Sequence, residues 1–183
     1  MLARCRKCER DTRLQVADSY EVPKEKLGIR NVVIVGGAVS RQMCPNCGEV
    51  GVSIPDLPGL IAAAAVARVK MPWRLEADEI RFLRKACQLT AKDLADLLQV
   101  TPETVSRWEN GKAPVGPSNE KLLRIHVGLT LADSAPGVPF DQNEIIRLRI
   151  MAVYEPNSLP KLVFSRIPML KKQQTEEVWL KAA

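Results

Sequence analysis

With 183 residues, 46% of them hydrophobic, the chain is long enough for one large or two small packed domains and too apolar for a disordered segment. Aromatics contribute only 4%, so a core must be chiefly aliphatic. The net charge of +6 and pI near 9.2 favour a polyanionic partner only mildly, and no basic tail is present, so any nucleic-acid binding must come from placement rather than bulk charge. Arg4, Arg6 and Lys7 are followed by no apolar stretch, which argues against a secretory signal. The longest apolar run, Leu60 to Ala67, is far shorter than the ~20 residues that span a bilayer. A cytoplasmic protein with no membrane partner is expected, and in that reducing compartment five cysteines do not suggest a disulfide framework.

The first motif is a pair of CxxC units, "CRKC" (Cys5, Cys8) and "CPNCGE" (Cys44, Cys47). Each brings two thiolates to one ion, and together they supply the four sulfurs of a tetrahedral site, so one structural Zn2+ per chain is expected. Gly48 after the second pair lets backbone and thiolate approach closely. A pair of redox CxxC units is the alternative, weakened by the lack of a thioredoxin-like βαβ pattern. Four cysteines leave no open position for catalytic water. The sole histidine, His126, lies far off in a helical stretch, and Cys87 reads as a small buried hydrophobe beside Leu83.

Between the pairs, "RLQVADSYEV" reads as a strand and "NVVIVGGAVSRQM" as strand, Gly-Gly turn, strand. A small zinc-clamped β domain over residues 1–55 follows. Four thiolates against one divalent ion make this end less basic, so it is no obvious DNA clamp, and a protein-binding or dimer-spacing role suits it as well. "IPDLPGL" marks a boundary, and the alanine-rich "LIAAAAVARVK" makes residues 56–72 a linker helix that bridges the halves or packs on the second.

From Leu75 the periodicity is helical. "EADEIRFLRKAC" places Ile80, Leu83 and Cys87 on one face. "LTAKDLADLLQV" offers Thr90 as a cap with Leu94, Ala95 and Leu98 inward. "TPETVSRWENGK" is a short helix capped by Thr101, entered through Pro102 and closed by Asn110-Gly111. Its Val105 and Trp108 share one face; Glu103, Ser106, Arg107 and Asn110 share the other. Two short helices joined by a tight turn form a helix-turn-helix, and that polar set suits base edges better than a bland Lys/Glu surface does. A further helix carries Leu122, Leu123, Ile125 and Leu129, completing an all-α DNA-binding domain over residues 73–130.

"LTAKDLADLLQVTPETVSRWENGKAP" resembles the phage-repressor-like (Xre/Cro) helix-turn-helix family. Its combination with an N-terminal CxxC…CxxC unit resembles zinc-finger/helix-turn-helix antitoxins and regulators of the MqsA type. The resemblance implies a homodimer on a palindromic double-stranded operator, often its own promoter, and in antitoxin members a toxin held by the metal domain. It puts Thr101, Glu103 and Arg107 on DNA and Asn110 and Lys112 on phosphate; Thr90, Lys92 and Ser106 complete the candidate interface. Two departures stand out: Ala91 where many members place a phosphate-binding Gln, and Gln99 where the turn usually has Gly.

Residues 131–183 lie outside the resemblance and form a C-terminal extension, with a dimerisation role open to it. "FDQNEIIRLRIM" is a helix with Ile145, Ile146 and Leu148 as a candidate dimer face, while "KLVFSRIPML" and "EEVWLKAA" form a hairpin or a second short helix. The expected class is therefore α+β: a zinc-clamped β domain, a phage-repressor-like helical domain and an extension. With one histidine, no Gly-rich phosphate loop and no Ser/His/Asp constellation, an enzyme is not expected. A sequence-specific regulator acting as a repressor is the leading reading; a protein-binding zinc adaptor with a degenerate helix-turn-helix is the alternative.

Overall fold

A computed structural model describes residues 2–150, 159–171 and 174–182. The described strands are β1 (Leu2–Arg4), β2 (Asp11–Val22), β3 (Val32–Met43), β4 (Val50–Ser53), β5 (Leu162–Lys171) and β6 (Gln174–Lys181). The helices are α1 (Lys24–Leu27), α2 (Leu57–Val69), α3 (Ala77–Ala86), α4 (Ala91–Leu98), α5 (Pro102–Glu109), α6 (Pro117–Leu131) and α7 (Gln142–Arg147). The class is mixed α+β, an N-terminal sheet followed by a helical region, as expected. None of the described helices is long and apolar enough to cross a membrane.

The sheet runs β1-β2-β3-β5-β6, with β4 also on β3. β3 is its spine. Along one edge it pairs antiparallel with β2; along the other, β5 joins Val32–Ile34 in parallel and β4 joins Ser40–Met43. The Gly-Gly pair inside β3 is a bulge, which corrects the expected turn. Register passes from Ala17↔Val39 to Ser19↔Val35, leaving Asp18 opposite Gly36 to Ala38. Gly36 and Gly37 sit at φ +77 and +72, where a side chain would strain the backbone, and the strand kinks instead of reversing.

The bulge divides the sheet physically. Before it, Val32, Ile34, Tyr20 and Val22 are buried in the main core. Beyond it, towards the cysteines, Val16, Met43 and Val50 stand 62–69% exposed. The C-terminal extension resolves to a hairpin whose β5 continues the N-terminal sheet, so segments expected at opposite ends of the chain share one hydrogen-bonded layer. Residues 151–158 of that extension lie outside the described residues.

The alanine-rich helix is central to the core. Leu60 and every residue from Ala62 to Val69 are buried, including Arg68. Small alanine side chains let α3, α6 and the sheet approach closely on several sides, which is what a helix without a polar face requires. Trp179 on β6 donates its indole N–H to the Asp56 carbonyl at 3.0 Å, tying the hairpin to the start of this helix.

The passage from α2 to α3 is fixed by two buried arginines. Arg68 forks onto Glu79 at 2.5 and 2.7 Å and donates to the carbonyls of Trp73 and Arg74. Arg124 of α6 binds Glu120 and donates to the carbonyls of Val69, Met71 and Trp73 at 2.6–2.7 Å. Glu79 and Glu120 in turn accept from the amides of Glu76 and Leu75. Four carbonyls and two amides of the chain reversal at residues 69–76 therefore have a charged partner.

Candidate nucleic-acid interface and metal centre

Cys5 and Cys8 sit in a turn after β1, Cys44 and Cys47 in a turn after β3. The two turns have the same backbone plan. Each first cysteine donates its N–H to the carbonyl five residues on, Arg10 or Glu49, and its own carbonyl accepts from the amide four residues on, Glu9 or Gly48. That fourth position is left-handed in both, at φ +58 for Glu9 and +69 for Gly48. Arg10 to Asn46 (2.9 Å) and Lys7 to Glu49 (4.0 Å) bridge the two turns.

The four sulfurs lie within 4.8 Å of one another, with Cys5–Cys47 at 3.6 Å and Cys8–Cys44 at 3.4 Å. A tetrahedron of Zn–S bonds of about 2.3 Å has edges of about 3.8 Å, so the spacing fits such an ion. The electrostatics agree. The Arg10 amide, then the Cys44 thiol, bring Cys8 down to about 6. Cys47 has the Glu49 amide favouring its thiolate, yet burial and the neighbouring sulfurs push it up to about 12. Four thiolates cannot share this space without a cation. Cys5 and Cys44 are buried and Lys7 donates its amide to the Cys5 sulfur, so the donor set suits a closed structural site.

His126 is remote from this cluster, beside Thr130, and burial lowers its pKa. Cys87 is half-buried, and burial pushes its thiol up to about 11, which leaves it chemically quiet.

In the helical half, α4 and α5 form the expected bihelical unit. Ala95, Leu98, Val105 and Trp108 are buried between them, and Val100 is half-buried in the turn. Gln99 occupies the turn at φ +53, in the left-handed region. Gln99→Gly should relieve that strain, at about 1–2 kcal/mol, against about 0.5–1 kcal/mol of added unfolded-chain freedom. The net gain of about 0–1.5 kcal/mol corresponds to a rise in Tm of up to about 6 °C in a calorimetric scan. A fall would show that the Gln99 side chain contributes a contact of its own.

All eight candidate interface residues are solvent-exposed, but they divide by what their polar atoms already do. Thr90 closes a capping box with Asp93, giving its hydroxyl to that carboxylate at 2.6 Å and accepting the Asp93 amide at 3.1 Å. Thr101 accepts the Thr104 amide at 3.3 Å. The Glu103 carboxylate is held by its own amide and the Thr101 hydroxyl, which lower its pKa. Asn110 donates to the carbonyl and hydroxyl of Ser106 and accepts from Arg81. Lys92, Arg107 and Lys112, by contrast, make no ion pair among the described residues; in particular Arg107 does not pair with Glu103. Arg107 and Lys112 are thus uncommitted among the described residues, while Lys92 also lies in the field of the Asp93 carboxylate.

Three residues on the inner side of this face are not evident from sequence. Glu109 is buried and forks onto Arg84 of α3 at 2.6 and 3.0 Å; Arg81 of α3 donates to the Glu109 carbonyl and to Asn110. These bonds fix the C-terminal end of α5 to α3. The spacing of Arg81 and Arg84 on one helical face was the available signal, but only the tertiary fold identifies their partner.

No curated protein and no solved structure matches the chain. A family model does match part of it: residues 80–129, covering α4, α5 and most of α3 and α6, fit the helix-turn-helix family, so the protein carries a helix-turn-helix domain, which implies DNA binding, together with a four-cysteine cluster suited to a metal.

Proposed function

We propose that the protein is a sequence-specific transcription regulator, acting as a repressor on a palindromic operator, with one structural zinc per chain. The observation that carries this reading is the exposure of Arg107, with no ion-pair partner among the described residues, on the outer face of α5, alongside exposed Lys92 of α4 and Lys112 just after α5, while Val105 and Trp108 hold the same helix to the core. A helix presented in this way enters the major groove by its N-terminal end. A guanidinium there can grip guanine O6 and N7 with two hydrogen bonds.

The test is binding of purified protein to a selected operator and to scrambled duplex at two salt concentrations. Arg107→Ala should weaken the operator complex about ten- to a hundredfold, the equivalent of roughly 1–3 kcal/mol per bidentate pair, with a much smaller loss on scrambled DNA. Lys112→Ala should weaken both similarly and lower the salt slope by about one for each phosphate no longer held. An equal loss on both duplexes for Arg107→Ala makes Arg107 a phosphate anchor and removes the base-reading assignment.

A homodimer is supported by Leu122 and Leu129 on α6 and Ile146 on α7, each more than half exposed. Ile145, by contrast, packs inward at 1% exposure, so it does not belong to that face. The narrower antitoxin reading draws on the other end of the molecule. Met43 and Val50 are cross-strand neighbours beside the cysteines, both exposed, and an apolar pair of that kind suits a protein partner such as a toxin. Co-purification of a small ribonuclease encoded beside this chain, abolished by Met43→Asp with Val50→Asp, supports it; indifference to both substitutions counts against it.

A further inference from the structure

A cavity of about 610 Å³ opens between α1 and α3, where the sheet unit meets the helix-turn-helix. A second, of about 460 Å³, runs on from it towards the end of α6, and the two share Ile61, Lys85 and Ala86. The result is one elongated groove along α2 and α3. Its floor near α1 is apolar, made by Leu27, Ile61, Phe82 and Ala86.

The rim sets Lys24, Lys26, Arg81 and Lys85 against the carboxylates of Glu25 and Asp78, so it is cationic on balance. Lys24 is taken up by Asp78, and Arg81 by Glu109 and Asn110. Lys26 and Lys85 are exposed and have no ion-pair partner among the described residues. Two uncommitted ammonium groups above a long apolar floor complement one kind of small molecule: an extended apolar body ending in an anion. Each cavity alone is within the ~300–1,000 Å³ of ordinary ligand sites.

We propose that this groove binds an amphiphilic carboxylate, its chain along Ile61, Phe82 and Ala86 and its head group between Lys26 and Lys85. Arg81 lines the same cavity and holds Asn110 at the end of α5. A carboxylate there competes for Arg81, so the ligand state is transmitted to the recognition helix. This consequence rests on the DNA-binding reading; ligand binding itself does not.

The experiment is calorimetric titration of the full-length, zinc-loaded protein with decanoate, and with decanol as the uncharged control. One saturable site is expected, with decanol at least about tenfold weaker, the usual loss when a charge-assisted hydrogen bond is removed. The double variant Lys26→Glu/Lys85→Glu changes only exposed side chains and should weaken decanoate by more than tenfold while leaving Tm and zinc content unchanged. Ala86→Phe, which fills the floor, should weaken both probes equally. No saturable heat with decanoate, or equal affinity in the wild type and the double lysine variant, overturns the proposal. Groove occupancy by a peptide instead would appear as a site that takes neither probe, and overturns it too. In a separate arm, operator binding with and without decanoate reads the coupling: binding of decanoate without any effect on DNA affinity refutes the transmission through Arg81 and leaves the ligand site standing.

Discussion

On the proposal that the four cysteines hold zinc, chelating the ion, or replacing Cys44 with serine, should dissolve the cysteine end of the sheet while the helical half stays folded. Beyond the bulge, little except Cys5, Cys44, Thr12 and Val39 is buried, so that end has almost no apolar core to hold it. Structural zinc sites supply apparent binding energies of about 10–16 kcal/mol near neutral pH, which is more than such a small surface can replace. Metal analysis should find close to one zinc per chain. Hydrogen exchange should show lost protection in residues 2–17 and 40–53 after chelation, with the helices of the main core retained in circular dichroism. Zinc affinity should fall as the pH is lowered, because the thiolates must take up protons before the ion leaves. A metal-free protein with those strands still protected would refute the structural role of the four cysteines.

The second large effect is expected at Arg124. Its side chain is fully buried, and burial pushes its pKa down while the adjacent Glu120 opposes that shift. Arg124→Ala strands the Glu120 carboxylate and bares the Val69 and Met71 carbonyls at the α2–α3 reversal, while the Trp73 carbonyl keeps Arg68. Breaking a buried pair from one side costs about 3–5 kcal/mol. For a protein of this size that lowers Tm by roughly 6–20 °C. Arg124→Met with Glu120→Leu should lose less than Arg124→Ala alone, since no unpaired charge remains. If Arg124→Ala costs under about 1 kcal/mol by denaturant titration, water must already reach this network and the carbonyls depend on it little.

Features encoded within a few residues were readable before any coordinates. The CxxC spacing implied a metal cluster, and the caps at Thr90 and Thr101 with Pro102 placed α4 and α5, because each depends on neighbours in sequence. What could not be read depended on distant partners. Gly36-Gly37 suits a turn as well as a bulge, and only the register against Asp18 decides between them. The alanine run of α2 suits a linker as well as a core helix; burial on all sides is settled by what packs there. Arg68 and Arg124 carry charges that ordinarily mean solvent, and their enclosure follows from bare carbonyls some 50 residues away for Arg124. At the interface, the exposed face of Glu103, Ser106, Arg107 and Asn110 was legible, but the internal partners that hold Glu103 and Asn110 were not.

The parallel pairing of β5 with β3 carries a cost during synthesis. Val32–Ile34 are made early, yet their neighbours Leu162–Phe164 leave the ribosome roughly 130 residues later. At about 5–20 residues per second, that apolar strand edge waits on the order of ten seconds for its partner. Open edges of this kind recruit other chains. Nascent copies on one polysome therefore compete with the hairpin that belongs there. Production of native protein should respond to translation speed and to chaperone supply more steeply than the stability of the finished fold suggests.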